Sequence, residues 1–181
     1  MQIYYSTPFS TEKNIGKALN EFCELVPDDA WIVLRDMDTL FLRSDVGNQI
    51  EDIIKKNGEK YKLISCMTNR LRANHQLHNS RFSEDPNMNN HVLLANQYHL
   101  NWYDQVEATS CVAGLLMIFH KSTWEQVRFR ENSILFDKEF NTDIRARFGG
   151  RTPIGIAKGL YVFHLYRWGA KDPYNSIEHL K

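Results

Sequence analysis

The chain carries an apolar, strand-prone run, Trp31-Ile32-Val33-Leu34, that ends on Arg35-Asp36-Met37-Asp38. Residues two apart on a strand point to the same side. Asp36 and Asp38 therefore face one point just beyond the strand's carboxyl end, which is where open α/β sheets bind ligands. Two like charges at a buried strand end repel each other and lose hydration unless something neutralises them. Converging carboxylate oxygens suit a hard cation such as Mg²⁺ or Mn²⁺, and such a cation suits phosphate. The run reads as a buried strand, which restricts the chain to folds that cover it.

The flanking segments fit that restriction. Residues 2–7 read as a strand ended by Pro8. Ile15, Leu19, Phe22 and Cys23 recur at helical spacing, so 11–25 reads as an amphipathic helix starting near Ser10 or Thr11. Val46, Ile50, Ile53 and Ile54 mark a second helix closed by Gly58, and Tyr61–Cys66 reads as a third strand. Strand, helix, strand, helix, strand predicts an α/β fold with a mainly parallel central sheet flanked by helices. At 181 residues a single domain, 1–181, is expected, and about 70% of the unfolded chain's surface should be buried.

From Thr68 to Thr109 the chain is polar, rich in Asn, and holds four of the seven histidines. Asp85-Pro86 predicts a helix start with Met88, Val92 and Ala95 on one face, and the rest of the segment reads as loop. His75 and His78 form an isolated HxxH pair, too poor in partners for zinc. Ser110–His120 reads as a strand broken by Gly114. Ser122-Thr123-Trp124-Glu125 predicts a helix opened by a capping box. Phe140, Ile144 and Phe148 place a helix over 136–148, stopped by Gly149-Gly150. Gly155–Leu165 predicts a last strand that delivers His164.

Lys plus Arg equals Asp plus Glu at 22 each. Neutrality argues against a nucleic-acid binder that depends on a basic field, and against a polybasic membrane anchor. No apolar run nears the ~20 residues that span a bilayer. Met1 leads directly into strand-like sequence, with no leader pattern expected. Cys23, Cys66 and Cys111 are widely spaced in apolar surroundings and read as buried thiols in a reducing compartment.

Taken together, these features resemble a glycosyltransferase of the GT-A (Rossmann-related) fold, close to family 2. Asn14-Ile15-Gly16 after the first strand is similar to that family's "R-N-x-G" helix, with Lys13 in the Arg position. Asp36-Met37-Asp38 resembles its DxD motif. Phe163-His164 is similar to the late histidine that completes the metal site. Gly114–Phe119 followed by Ser122-Thr123-Trp124 resembles its glycine strand and helix, and Asn141-Thr142-Asp143 its acidic helix start. Here the paired acidic motif is reduced to Asp143, and the chain is short for the fold. An acceptor region would then be minimal or supplied by a partner, so an oligomer is possible.

The resemblance implies transfer of a sugar from a nucleotide-diphosphate sugar to a hydroxyl acceptor, carbohydrate or lipid-linked. Asp36, Asp38 and His164 would hold Mn²⁺ or Mg²⁺ on the diphosphate, with Asp36 also leaning to the ribose. Thr7, Pro8 and Asn14 would meet the nucleobase, and Arg167 and Lys171 would close over the diphosphate. Asp143 would be the general base, which implies inversion, with Asp137 and Glu139 as alternatives. Trp102 and Trp168 stack on a sugar or pack in the core. The implied location is the cytoplasm, or the inner membrane face for a lipid-linked acceptor. Two other readings stand beside this one. A haloacid-dehalogenase-like phosphatase also pairs aspartates two apart, but it places Thr four after the first, where this chain has Leu40. An inactive nucleotide- or carbohydrate-binding module of the same fold is the other.

Overall fold

The structure, a computed structural model, describes residues 1–149 and 153–166. Its elements in chain order are β1 (Gln2–Ser6), α1 (Ile15–Leu25), β2 (Ala30–Arg35), β3 (Thr39–Phe41), α2 (Val46–Asn57) and β4 (Leu63–Thr68). Two short 3₁₀ turns, Asn74–Gln76 and His78–Ser80, precede α3 (Met88–Trp102). Then come β5 (Val106–Thr109), β6 (Leu116–His120), α4 (Lys121–Gln126), α5 (Phe136–Phe148) and β7 (Ile154–His164).

The fold is α/β with one seven-stranded sheet in the order β1-β2-β6-β4-β7-β3, and β5 also pairs with β7. The sheet is mixed, not mainly parallel. Among the described strands only β1–β2 and β4–β7 run parallel; β6 is antiparallel to both β2 and β4, and β3 and β5 are antiparallel to β7. Apolar runs identify buried strands but do not encode their direction. Direction follows from how each connection returns, and β6 is threaded into the gap between β2 and β4.

Alternate residues of the central strands feed two core layers, as period-two geometry requires. Ile32, Leu34, Met117 and Phe119 pack with Leu19 and Cys23 of α1, Trp124 of α4, Phe140 and Ile144 of α5, and Tyr98 of α3. Val33, Leu116 and Ile118 pack on the other face with Ile50, Ile53 and Ile54 of α2. Burial on both faces accounts for the unbroken apolarity of β2 and β6.

Several local expectations are corrected. The first helix begins at Ile15, not near Ser10, because Asn14 Oδ1 accepts the Lys17 N–H and caps it there. The capping box at Ser122 is not formed. His120 is the cap, its Nδ1 accepting the Ser122 N–H, so the helix starts at Lys121. The strand after Ser110 is only Leu116–His120. The polar segment 68–109 contains the edge strand β5 and the 15-residue α3. The buried face of α3 is His91, Ala95 and Tyr98, while Met88 is exposed. His91 is tolerated inside because Tyr161 Oη and the Asp85 carbonyl serve its two ring nitrogens. Cys23 and Cys66 are buried free thiols, whereas Cys111 is exposed.

β7 is not one continuous partner of β4. Cys66 pairs with Ala157, but the next residue, Met67, pairs with Tyr161. Lys158, Gly159 and Leu160 therefore bulge out of the β4 ladder. Buried Gln49 fills the gap, its Nε2 donating to the carbonyls of Tyr103 and Gly159 at 2.9 Å each. Gly159 is required there, since a Cβ would lie 2.2 Å from the Tyr103 carbonyl oxygen. Before the bulge β7 pairs with β5; after it, with β3.

Candidate metal centre

The bulge decides where His164 falls. Beyond it, Thr39 of β3 pairs with His164 of β7, and Leu165 N–H donates to the Asp38 carbonyl at 3.0 Å. Asp36 extends β2, its N–H donating to the Leu115 carbonyl at 3.0 Å. The turn from Asp36 to Thr39 is closed by the Thr39 hydroxyl, which donates to the Asp36 carbonyl at 2.7 Å, and Arg35 Nη1 donates to the Thr39 carbonyl at 2.7 Å.

This turn brings Asp36, Asp38 and His164 together, with one ligand atom from each lying within 4.8 Å of the others. His164 Nε2 is 3.1 Å from Asp38 Oδ1 and 4.0 Å from Asp36 Oδ2. His164 Nδ1 lies 2.9 Å from the Arg70 carbonyl, which can only accept, so hydrogen-bond chemistry assigns the proton to Nδ1. Nε2 faces the carboxylates, and its hydrogen bond to Asp38 uses a second ring proton, whose place a bound metal would take. Metal-bound histidines use this arrangement, with the far ring nitrogen donating to a carbonyl.

The two carboxylates differ. Burial at the base of the cleft pushes Asp36 up to about 6; His164 pulls the other way, and Asp38 and Asp137 push with the burial. Its side chain is still 46% exposed, so water reaches it. Burial also acts to raise Asp38, but the hydrogen bond and charge of His164 outweigh it, and Asp38 lies below the usual carboxylate range. Two carboxylates and one imidazole nitrogen match the ligand preferences of Mn²⁺, and less closely of Mg²⁺. Bonds of about 2.1 Å put ligand atoms about 3–4 Å apart on such ions. The observed spacing meets that with a slight closure, and leaves coordination positions free.

A cleft of about 390 Å³ opens beside the pair. Pro8, Phe9, Lys13, Ile134 and Phe136 line it. Ile134 belongs to a strap, 127–135, fastened to α1, and Phe136 opens α5. Asn14 Oδ1 accepts the Asn132 N–H, and Asn20 both accepts from the Phe129 N–H and donates to the Phe129 carbonyl. Gly16 permits the approach, because a Cβ there would lie 2.2 Å from the Arg130 carbonyl oxygen. The Asn-x-Gly pattern after β1 thus has a packing explanation. Of the three residues expected at a nucleobase, Pro8 lines the cleft; half-buried Thr7 does not, and Asn14 has its carboxamide committed to the cap and the strap.

Asp143 is not at a helix start. It is in the second half of α5, and its carboxylate pairs with Arg130 Nε and Nη2 at 2.9 and 2.8 Å. It lines a separate surface hollow with Arg128. The acidic first turn holds Asp137 and Glu139 instead. Asp137 Oδ2 accepts the Gly114 N–H at 3.0 Å, one residue from the Leu115 carbonyl that anchors Asp36. Burial raises Asp137 against the lowering effect of backbone N–H groups from Lys138 and Gly114. Asp137 is near enough for its charge to act on Asp36, whereas Asp143 is paired with Arg130 and lines the separate hollow. The expected diphosphate contacts Arg167 and Lys171, and Trp168, lie outside the described residues.

Sequence reasoning missed the asparagines that hold these parts. Asn69, 0% exposed, accepts from the His164 N–H at 2.7 Å and donates to its carbonyl at 3.2 Å. Asn141, 1% exposed, does the same to Val112 at 2.9 and 2.7 Å. For Asn69 the available signal was an amide directly after the apolar run of β4; nothing in the polar sequence around Asn141 marks it. Comparison with protein-family models and with curated proteins found no match for this chain.

Proposed function

We propose that this protein is a metal-dependent glycosyltransferase of GT-A-like fold, which moves a sugar from a nucleotide-diphosphate sugar to a hydroxyl acceptor with inversion. The observation that carries the reading is the convergence of Asp36, Asp38 and His164 at the carboxyl end of β2, beside a cleft with apolar walls. A bound Mn²⁺ or Mg²⁺ would supply Lewis-acid stabilisation to the departing diphosphate. The apolar lining from Pro8, Phe9 and Ile134 suits a flat heteroaromatic base. Lys13, which also lines the cleft, adds positive charge that suits a diphosphate. The bond from the anomeric carbon to the diphosphate oxygen breaks as the acceptor oxygen attacks from the opposite face. The acceptor's proton passes to Asp137, whose burial makes it a stronger base than a solvated carboxylate. The acceptor is a carbohydrate or a lipid-linked sugar. No described helix is long and apolar enough to cross a membrane, and a cytoplasmic site or the inner membrane face suits such an acceptor.

The test is thermal stability against a panel of nucleoside diphosphates, with and without Mn²⁺. A ligand at a hundred times its dissociation constant adds about 2.7 kcal/mol. One nucleotide should raise Tm only with the metal, and the shift should vanish in Asp38→Ala. No shift with any nucleotide refutes the donor site and leaves the phosphatase and binding-module readings.

A further inference from the structure

We propose that Asn69, together with the peptide carbonyl of Arg70, is the positioning device that makes His164 a metal ligand; the inference rests on the metal-site reading above. β4 ends at Thr68, so its parallel ladder with β7 stops at Val162, two residues short of the histidine. His164 still pairs with β3 on one side, but on the β4 side its peptide groups have no strand to bond. Asn69 supplies the missing strand chemically. Its Oδ1 accepts the His164 N–H at 2.7 Å and its Nδ2 donates to the His164 carbonyl at 3.2 Å. One carboxamide carries the donor and acceptor that a neighbouring peptide would have offered. The Thr68 hydroxyl lies 3.2 Å from Asn69 Oδ1, a further donor to the same amide oxygen.

The next residue acts on the ring. The Arg70 carbonyl accepts from His164 Nδ1 at 2.9 Å. That carbonyl is held in place because the Arg70 side chain, 0% exposed, is tied down. Its Nε donates to the Tyr166 carbonyl at 2.8 Å, its Nη1 donates to the Ser83 carbonyl at 2.9 Å, and its guanidinium stacks 4.0 Å from the Phe82 ring centre. Backbone and ring of the histidine are thus fixed by consecutive residues, and Nε2 can only face Asp36 and Asp38. An imidazole free to rotate would spend part of its time with Nε2 turned away, and the carboxylate pair alone would hold the ion less tightly.

The test uses the full chain and Mn²⁺ or Mg²⁺ as probe, with Asn69→Ala, Asn69→Asp, and Lys121→Met as a control. Lys121→Met removes buried hydrogen bonds to the carbonyls of Cys23, Glu24 and Val26 and does not touch His164. NMR of the ¹⁵N-labelled metal-free wild type should show a slowly exchanging Nδ1 proton on His164. This first reading needs no variant to fold. In Asn69→Ala that proton should exchange rapidly and the Mn²⁺ dissociation constant should rise about 10- to 100-fold. Asn69→Asp keeps the acceptor and loses the donor, and should show an intermediate exchange rate. Lys121→Met should lower Tm while leaving the ring proton and the Mn²⁺ affinity as in wild type. A wild-type Nδ1 proton that exchanges as in a free histidine overturns the inference. So does an Asn69→Ala protein that behaves like Lys121→Met in both readings. A protected proton that depends on Asn69, in a protein that binds neither ion, supports the orienting role and refutes the metal reading beneath it.

Discussion

Asp36 makes a pH prediction that separates the metal-free from the loaded state. Its carboxyl is raised from 3.8 to about 6, chiefly by burial. Between about pH 4 and pH 6 the native protein holds a proton at Asp36 that the unfolded chain has released, so this group's contribution to stability is greatest at low pH and is lost as pH rises through 6. The full shift converts to a ceiling of about 3 kcal/mol. The side chain is 46% exposed, and solvent screening reduces that to about 1 kcal/mol, or about 2–4 °C in Tm for a chain of this size. Other groups titrate nearby: burial lowers His78 and His99, which costs stability as pH falls. The informative quantity is therefore the difference between wild type and Asp36→Asn, measured by urea unfolding without metal from pH 4.5 to 7.5. Wild type should lose about 1 kcal/mol relative to the variant across that range. Saturating Mn²⁺ should reverse the sign above pH 6, because the ion binds the ionised carboxylate that the variant lacks. A difference that is flat with pH, or that grows in favour of wild type without metal, refutes the reading of Asp36 as a half-buried, repelled carboxylate awaiting a cation.

The two candidate bases separate cleanly. Asp137→Asn should cut transfer about 10²–10⁴-fold while leaving the metal-dependent nucleotide shift intact. Asp143→Asn should leave transfer near wild type and cost under about 1 kcal/mol, since its partner Arg130 is 56% exposed; the reverse pattern in a steady-state assay would return the role to Asp143. Gly16→Ala places a methyl 2.2 Å from the Arg130 carbonyl oxygen and should destabilise by about 1–3 kcal/mol, read as a drop in the urea midpoint, with weaker nucleotide binding as the strap shifts. Lys121 is 4% exposed and its Nζ donates to the carbonyls of Cys23, Glu24 and Val26. Lys121→Met should strip the carboxyl end of α1 of these partners and cost about 2–3 kcal/mol by the same unfolding assay.

The strands that carry Asp36 and His164 were legible because each is an apolar run ending on a polar side chain. Their meeting was implied by the resemblance alone and not by the strand pattern. It needs β3, only three residues long, to pair with β7, and it needs Lys158–Leu160 to leave the ladder so that His164 arrives opposite Thr39. No periodicity marks either event, since Gly155–Leu165 reads as uninterrupted strand. The same gap between local pattern and tertiary partner bears on the choice of base. Asp143 and Asp137 sit on one helix, and the sequence does not show that Arg130 pairs with Asp143 while Asp137 accepts the Gly114 N–H. On α3, His91 reads as polar and pushes the predicted buried face round to Met88, because the sequence does not show that Tyr161 and Asp85 wait to satisfy it.

The asparagines connect these outcomes. Asn20, Asn69 and Asn141 each bond both the N–H and the carbonyl of one distant residue: Phe129, His164 and Val112. Each clasped residue lies where regular pairing has stopped, and each clasped segment carries part of the candidate site. Phe129 leads into the cleft wall, Val112 into the Gly114 peptide that holds Asp137, and His164 is itself a candidate ligand. A site at the carboxyl ends of strands needs backbone that has left the ladder yet remains fixed, and a buried amide meets both requirements. Aspartate at the same positions would accept but not donate, and would add negative charge beside carboxylates that already repel. Asn141 also donates to the Asp137 carbonyl, so one side chain fixes both the loop and the first turn of α5 that bring Asp137 to the cluster. The uncharged clamp therefore lets the charge of the cluster be set by its ligands alone.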